Sequence, residues 1–269
     1  MLPFSHALLA ELKAVRFPEL NLEEQRVYLD EHLRRMLFVF NTLDKFKLPE
    51  QAKVLDLGAK PYVLAYLSLA YAKWQYTGVG YSIKELRDAE ARTAFYHELP
   101  VIKQDLELKT AQTLFKFPMW QVNIEKDPEP FPDGNFDAIV CTETVEHLVQ
   151  DPTFLFSEIA RLLKPTGKFI FSVPNAIYWG RLLKLLAGKN IDDPYSVHGP
   201  YGRHNRNYTV HEARQLCERA GLKVLRSSTY NFQPLQESLL KKSLRIFGNI
   251  IFSLFPQRRG KTVVVICEK

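Results

Sequence analysis

The sequence predicts an α/β fold built on a doubly wound, mostly parallel sheet. Three observations carry that expectation. Short apolar runs at 53–57, 75–79, 136–141 and 168–173 each end at a turn residue and read as buried strands. Between two of them, at 61–71 and 152–163, apolar residues recur at three- and four-residue steps, as in crossover helices. The composition, 46% hydrophobic and 25% charged over 269 residues, supplies a full core and excludes disordered and fibrous classes. The length fits one domain with additions.

Taken in order, residues up to about Leu48 read as helix on the repeat of Leu8, Leu9 and Leu12 and then of Tyr28, Leu29, Leu33, Met36, Leu37, Val39 and Phe40. Pro18 and Asn21 divide this stretch into at least two helices, so 1–50 is expected to be an N-terminal helical extension and 51–269 the main domain. The strand at 53–57 closes at Gly58. Pro61 suits a first helical residue, with Val63, Leu64 and Leu67 on the buried side. After the strand at 75–79, the turn Pro132-Asp133-Gly134-Asn135 introduces the strand at 136–141.

Asp151 and Pro152 read as N-cap and first residue of a helix to about Leu163, stopped by Pro165-Thr166-Gly167. The strand at 168–173 then closes at Pro174 and Asn175. Thr209 and Glu212 form a capping box for a helix through Ala220, and Gly221 stops it. A strand at 222–231, a basic amphipathic helix at about 235–255 and a strand at 262–267 complete the chain.

The net charge of +6 is scattered, which argues against a nucleic-acid partner. Cys141, Cys217 and Cys267 lie far apart, so neither a disulfide frame nor a cysteine zinc site is expected. Glu11, Lys13 and Arg16 interrupt the N-terminus, so no signal peptide is expected and the chain reads as cytoplasmic. The longest uncharged run near the C-terminus, 246–257, is too short to span a bilayer. Leu240, Leu244, Phe247, Ile251 and Leu254 share one face of the 239–255 helix beside Lys241, Lys242 and Arg245. That pattern suits peripheral contact with an anionic membrane, or packing on the sheet or on a second copy in a homodimer.

Strand, tight turn and helix at 53–71 form the crossover where doubly wound sheets bind ligands, beyond the carboxyl ends of the strands. The glycine triad of a nicotinamide site is absent, because only Gly58 is present, so a dehydrogenase is not expected. Val54-Leu55-Asp56-Leu57-Gly58-Ala59, Phe131-Pro132-Asp133-Gly134-Asn135-Phe136-Asp137, Glu143-Thr144-Val145-Glu146-His147-Leu148, Leu162-Leu163-Lys164-Pro165-Thr166-Gly167 and Val173-Pro174-Asn175 stand in this order. Together they resemble the class I S-adenosylmethionine (SAM)-dependent methyltransferases over about 53–269.

That resemblance implies a Rossmann-like seven-stranded sheet with its last strand antiparallel, N-terminal helices, a substrate-side insertion and SAM as cofactor. Gly58-Ala59-Lys60-Pro61-Tyr62, Asn123-Ile124-Glu125 and the segment from Asp193 to Arg206 are similar to a bacterial group tied to cell-surface glycan and polysaccharide pathways. A glycan-type or other small polar acceptor, methylated on oxygen, follows from that likeness.

The resemblance maps cofactor contacts onto Asp56, Gly58, Ala59, Lys60, Gly80, Asn123, Ile124 and Thr142. Two positions depart from the pattern. Lys60 stands near the second glycine of the first motif, and Gly80 replaces the acidic residue that would accept bonds from the ribose. A catalytically inactive, methyltransferase-like scaffold is the alternative these departures suggest. Lys60 offers a charge to the methionine carboxylate, and Asp56 braces the turn or the cofactor's amino group.

The loop at 176–208, rich in Tyr, His, Trp and Arg, is read as covering the substrate. A hydroxyl acceptor needs a base with a pKa near neutrality, for which His is suited. His147 follows the strand at 136–141 and His204 lies in the covering loop; they are the candidate bases, with Glu143 next and His198 a weaker third. His6, His32, His97 and His211 are read as outside the site, Glu146 as an exposed residue at a helix start, and no metal is required.

Overall fold

The computed structural model describes residues 1–80, 101–196, 200–252, 254, 255, 257 and 259–269. His97 and His198 lie outside the described residues, as do the side chains of Leu240 and Lys241.

Two helices open the chain, α1 (His6–Ala14) and α2 (Leu22–Lys45). Asn21 caps α2 in a full capping box with Glu24. Buried Gln25 joins the two helices, its Nε2 donating to the carbonyls of Leu12 at 3.1 Å and Val15 at 2.8 Å. The strands are β1 (Lys53–Leu57), β2 (Gln75–Val79), β3 (Ile102–Lys109), β4 (Leu114–Gln121), β5 (Phe136–Thr142), β6 (Leu163–Pro174), β7 (Lys223–Tyr230) and β8 (Thr262–Glu268). They form one sheet in the order β3-β4-β2-β1-β5-β6-β8-β7.

The sheet has eight strands rather than the seven expected. β3 is the addition, pairing antiparallel with β4 at the edge. Its alternating Lys103, Asp105, Glu107 and Lys109 leave most of the strand exposed and conceal it from a search for apolar runs, and Pro118 interrupts the reading of β4. The edge is partly covered: Arg16 and Lys109 exchange backbone hydrogen bonds of 2.8 and 3.3 Å. The last strand runs antiparallel to both neighbours, as expected.

Between the strands lie α3 (Val63–Leu67), α4 (Thr153–Leu162), α5 (Trp179–Leu186), α6 (Val210–Arg219) and α7 (Leu239–Ile251). Pro61 is not the first helical residue: Tyr62, at φ 72°, is the N-cap of α3 and the helix begins at Val63. Thr209 and Glu212 form the predicted capping box of α6.

Alternate residues of the central strands feed two cores. Val54, Ala138 and Ile170 face Leu29, Leu33, Leu37, Phe40 and Leu43 of α2. Leu55, Ile139 and Phe169 face Leu155, Phe156 and Ile159 of α4 and Ala213 of α6. Burial on both sides is why these strands read as nearly continuous apolar runs. The N-terminal helices therefore complete one face of the sheet.

Asn175 fastens the base of the 176–208 segment, its Nδ2 donating to the carbonyls of Gln257 at 2.7 Å and Gly260 at 2.8 Å. α7 touches this segment through Gly248, where an added Cβ would lie 2.3 Å from the Trp179 ring. Its Leu244, Phe247, Ile250 and Ile251 are exposed. No described helix is long and apolar enough to cross a membrane.

Candidate active site

β1 and β5 lie side by side, Leu57 opposite Cys141, and both end at the same edge of the sheet. There the chain turns at Gly58 with φ 83°, where a Cβ would stand 2.1 Å from Thr144 Oγ1. Only glycine has both the conformation and the room. Thr144 Oγ1 donates to the Leu57 carbonyl at 3.3 Å, coupling the two strand ends.

A cavity of 320 Å³ opens at this edge. Its walls come from β1 and the turn after it (Asp56, Gly58, Ala59, Lys60), from the end of β5 and the short helix Val145–His147 (Thr142, Glu143, Glu146, His147), and from His204. The fourth wall is α2, through Tyr28, His32, Arg35 and Met36. The sequence reading left this wall out, although 28, 32 and 35 share a helix face and a buried Arg35 in an apolar stripe is itself a signal.

Asp56 is buried and accepts a 2.7 Å hydrogen bond from Tyr76. Burial pushes its carboxyl up to about 7, with that bond and the Arg35 charge pulling the other way. Glu143 adopts a left-handed φ of 51°. It takes an ion pair from Arg35 at 3.3 Å and a hydrogen bond from Ser172 Oγ at 2.9 Å.

Glu146 corrects the expectation of an exposed helix start: it is fully buried, and neither carboxylate oxygen has a hydrogen-bond partner among the described residues. Burial first, and then the Glu143 charge, raise its carboxyl well above the usual range.

The 176–208 segment brings His204 to His147, the two rings meeting edge to face at 4.9 Å. His147 Nδ1 lies 2.9 Å from the Arg203 carbonyl, and His204 Nδ1 lies 3.2 Å from Asp193. Burial, then the neighbouring His204, lower the His147 pKa. His32, read as lying outside the site, lines the cavity, and burial together with Arg35 takes its pKa down to about 4.

Other expected contacts fall elsewhere. Lys60 lines the cavity but its ammonium pairs with Glu19 at 2.5 Å, which corrects the expectation of a charge held free for a ligand carboxylate. Asn123, Ile124 and Gly80 are not among the lining residues. Asn123 Oδ1 closes its own loop by accepting from the Glu125 amide at 3.1 Å, and Ile124 packs on the core beneath α4. Gly80 donates its amide to the Trp120 carbonyl at 3.0 Å, and a Cβ there would lie 3.8 Å from the Ala59 nitrogen, so it flanks the turn.

The chemistry of the walls fits SAM. Asp56, Glu143 and Glu146 bring three carboxyl groups to the cavity, and a ligand carrying sulfonium and ammonium charges would favour their ionised forms.

Comparison with known proteins agrees. A family model described as Methyltransferase domain matches residues 23–227. A ubiquinone biosynthesis O-methyltransferase of Idiomarina loihiensis is 28% identical over 193 residues, 71% of this chain and 69% of the relative. The enzyme of that name from Paracidovorax citrulli is 27% identical over 185 residues, 68% of each chain. Among solved structures, the YcgJ protein of Bacillus subtilis superposes with a TM-score of 0.53 at 18% identity, over 88% of this chain and 99% of its own. A SAM-dependent methyltransferase of Archaeoglobus fulgidus gives 0.51 at 13% identity, over 90% and 99%. These two show the fold. The expected glycan association gains no support from the relatives, whose names belong to ubiquinone biosynthesis. With the family match spanning most of the chain and the cavity at the switch point of the sheet, the chain belongs to the methyltransferase domain family and is a class I SAM-dependent methyltransferase.

Proposed function

We propose that the protein transfers the methyl group of SAM to an oxygen of a small hydroxylated ring compound. The observation that carries this reading is the open cavity in which the acidic end of β1 and β5 meets the His147 and His204 pair. SAM supplies an already activated methyl group, so the chain's task is to align the two reactants and accept a proton. Asp56, Gly58, Ala59 and Thr142 hold the cofactor, with Gly80, Asn123 and Ile124 flanking its adenosine side. The paired rings, with Glu143 beside them, receive the acceptor's proton. Burial, and then His204, disfavour the charged form of His147, the form that could not take it.

The relatives' names favour a phenolic hydroxyl over a sugar, and the Tyr28, Met36 and Tyr62 walls suit a flat ring. A glycan-type acceptor is the second arm of the test. An inactive scaffold would be expected to fill its cleft with side chains; the open cavity favours an enzyme. In this reading residues 1–50 serve as an extension walling the site, and 176–208 as its cover. The exposed face of α7 makes peripheral contact with an anionic membrane.

The test is calorimetry with SAM and S-adenosylhomocysteine, followed by transfer of labelled methyl to catechols and to monosaccharides. Binding of both nucleosides and methylation of a catechol oxygen are expected. No binding of either nucleoside at millimolar concentration overturns the reading.

A further inference from the structure

The Glu146, His147 and His204 side chains form a constellation that the acid–base account leaves half explained. One ligand atom from each of the three lies within 4.8 Å of the others. Glu146 is wholly buried, with neither oxygen partnered among the described residues, and a buried carboxyl is ionised without a large cost only where a cation answers it. Two guanidiniums act on it from nearby: Arg35 is already bound to Glu143, and Arg181 makes no ion pair with it among the described residues.

The two rings are held as metal-bound rings are. His147 Nδ1 sits at 2.9 Å from the Arg203 carbonyl and His204 Nδ1 at 3.2 Å from the Asp193 carboxylate. A carbonyl or carboxylate on one ring nitrogen fixes the tautomer and leaves Nε2 as the ligand atom. Backbone contacts hold the loop against the short helix, Asn205 N–H donating to the Glu146 carbonyl at 2.7 Å and Asn205 Nδ2 to the His147 carbonyl at 2.9 Å. All three residues line the cavity, so an ion among them would face it.

We infer that Glu146, His147 and His204 bind one divalent cation of the zinc type, with an open coordination position turned to the acceptor. Two nitrogens and one carboxylate oxygen are the protein set of a catalytic rather than a structural site. Ligand atoms in a tetrahedral zinc site stand about 3.3 Å apart, so binding draws the covering loop inward by an ångström or so. The role of the ion rests on the proposed methyl transfer: in the metal-loaded protein the two rings are ligands and no longer accept the proton, and the ion would instead hold the acceptor oxygen and ease loss of its proton to solvent. The existence of the site does not depend on that role.

The full chain, stripped with a chelator, is titrated with Co²⁺ alone and followed by calorimetry and visible absorption. One equivalent should bind with the ligand-field bands of a nitrogen-containing site. Glu146→Gln and His204→Ala should each weaken binding by ~10- to 100-fold or more, and Asp193→Asn, which releases only the outer partner of His204, by less. His204→Ala removes a loop side chain, and a metal-free melting curve matching the wild type's is the control that its fold is kept. No uptake by the wild type, or equal affinity in wild type and a His147→Ala/His204→Ala double variant, overturns the inference. SAM binding is measured on the same samples. Metal uptake without SAM binding overturns only the proposed function, and SAM binding without metal uptake overturns only the metal site.

Discussion

The Arg35 guanidinium of α2 meets Glu143, at the end of β5, at 3.3 Å, with side-chain exposures of only 10% and 20%. This pair ties the N-terminal helices to the cavity edge of the sheet. Arg35→Met should leave Glu143 half-buried without its cation and lower stability by about 3 kcal/mol. Glu143→Gln in the same chain should recover part of that loss. Denaturant melts of the two single variants and the double variant measure the coupling, and strict additivity would mean that the pair contributes nothing.

Gly58 is held by its left-handed φ and by Thr144. Gly58→Ala places a methyl group 2.1 Å from the Thr144 hydroxyl oxygen. The expected result is a loss of about 2 kcal/mol or more in stability and weaker SAM binding by calorimetry. An Ala variant that binds SAM like the wild type would show that the turn does not shape the cofactor site.

Asp56 sets a pH dependence whose sign follows from its raised pKa. The folded protein keeps this carboxyl protonated up to about 7, whereas the unfolded chain ionises it near its ordinary 3.8. The unfolded state then binds fewer protons between these values, so this group's contribution makes stability fall as pH rises from about 4 to 7, with the full penalty present above 7. Asp56→Asn removes a penalty on the order of 4 kcal/mol at most, and should raise the melting temperature relative to wild type more at pH 8 than at pH 5. The same variant should lose SAM affinity. An equal change in melting temperature at both pH values would show that the carboxyl titrates normally.

His147→Ala and His204→Ala should each lower methyl transfer by ~10²-fold or more while SAM binding stays nearly unchanged. Single-turnover rates across the neutral range, beside calorimetric SAM affinities, separate these effects. Wild-type turnover in both variants would move the proton-accepting role to Glu143.

The exposed Phe247 and Ile250 of α7 should carry binding to anionic vesicles. Flotation with phosphatidylglycerol vesicles is expected at low salt, with a marked decrease at high salt and in a Phe247→Ser/Ile250→Ser variant. A wild-type protein that stays at the bottom of the gradient removes this contact.

Local chemistry in the sequence determined much of the fold. The β1 run ending at Gly58, the turn before β5 and the capping box of α6 follow from patterns a few residues long, whereas the antiparallel last strand is implied only by the resemblance to the methyltransferases. β3 escaped that reading because its exposed, alternating charges carry no burial signal, and α2 was legible as a helix but not as a wall of the cavity. Asp56, Gly58, Thr142 and Glu143 could be placed from the sequence because the carboxyl ends of adjacent parallel strands must share one edge. Only the tertiary structure decided that Lys60 is taken by Glu19, that Glu146 is buried without a partner among the described residues, and that His204 crosses from the 176–208 segment to His147. Those facts depend on contacts between segments far apart in the chain, and periodicity reports which face of an element is buried but not what buries it.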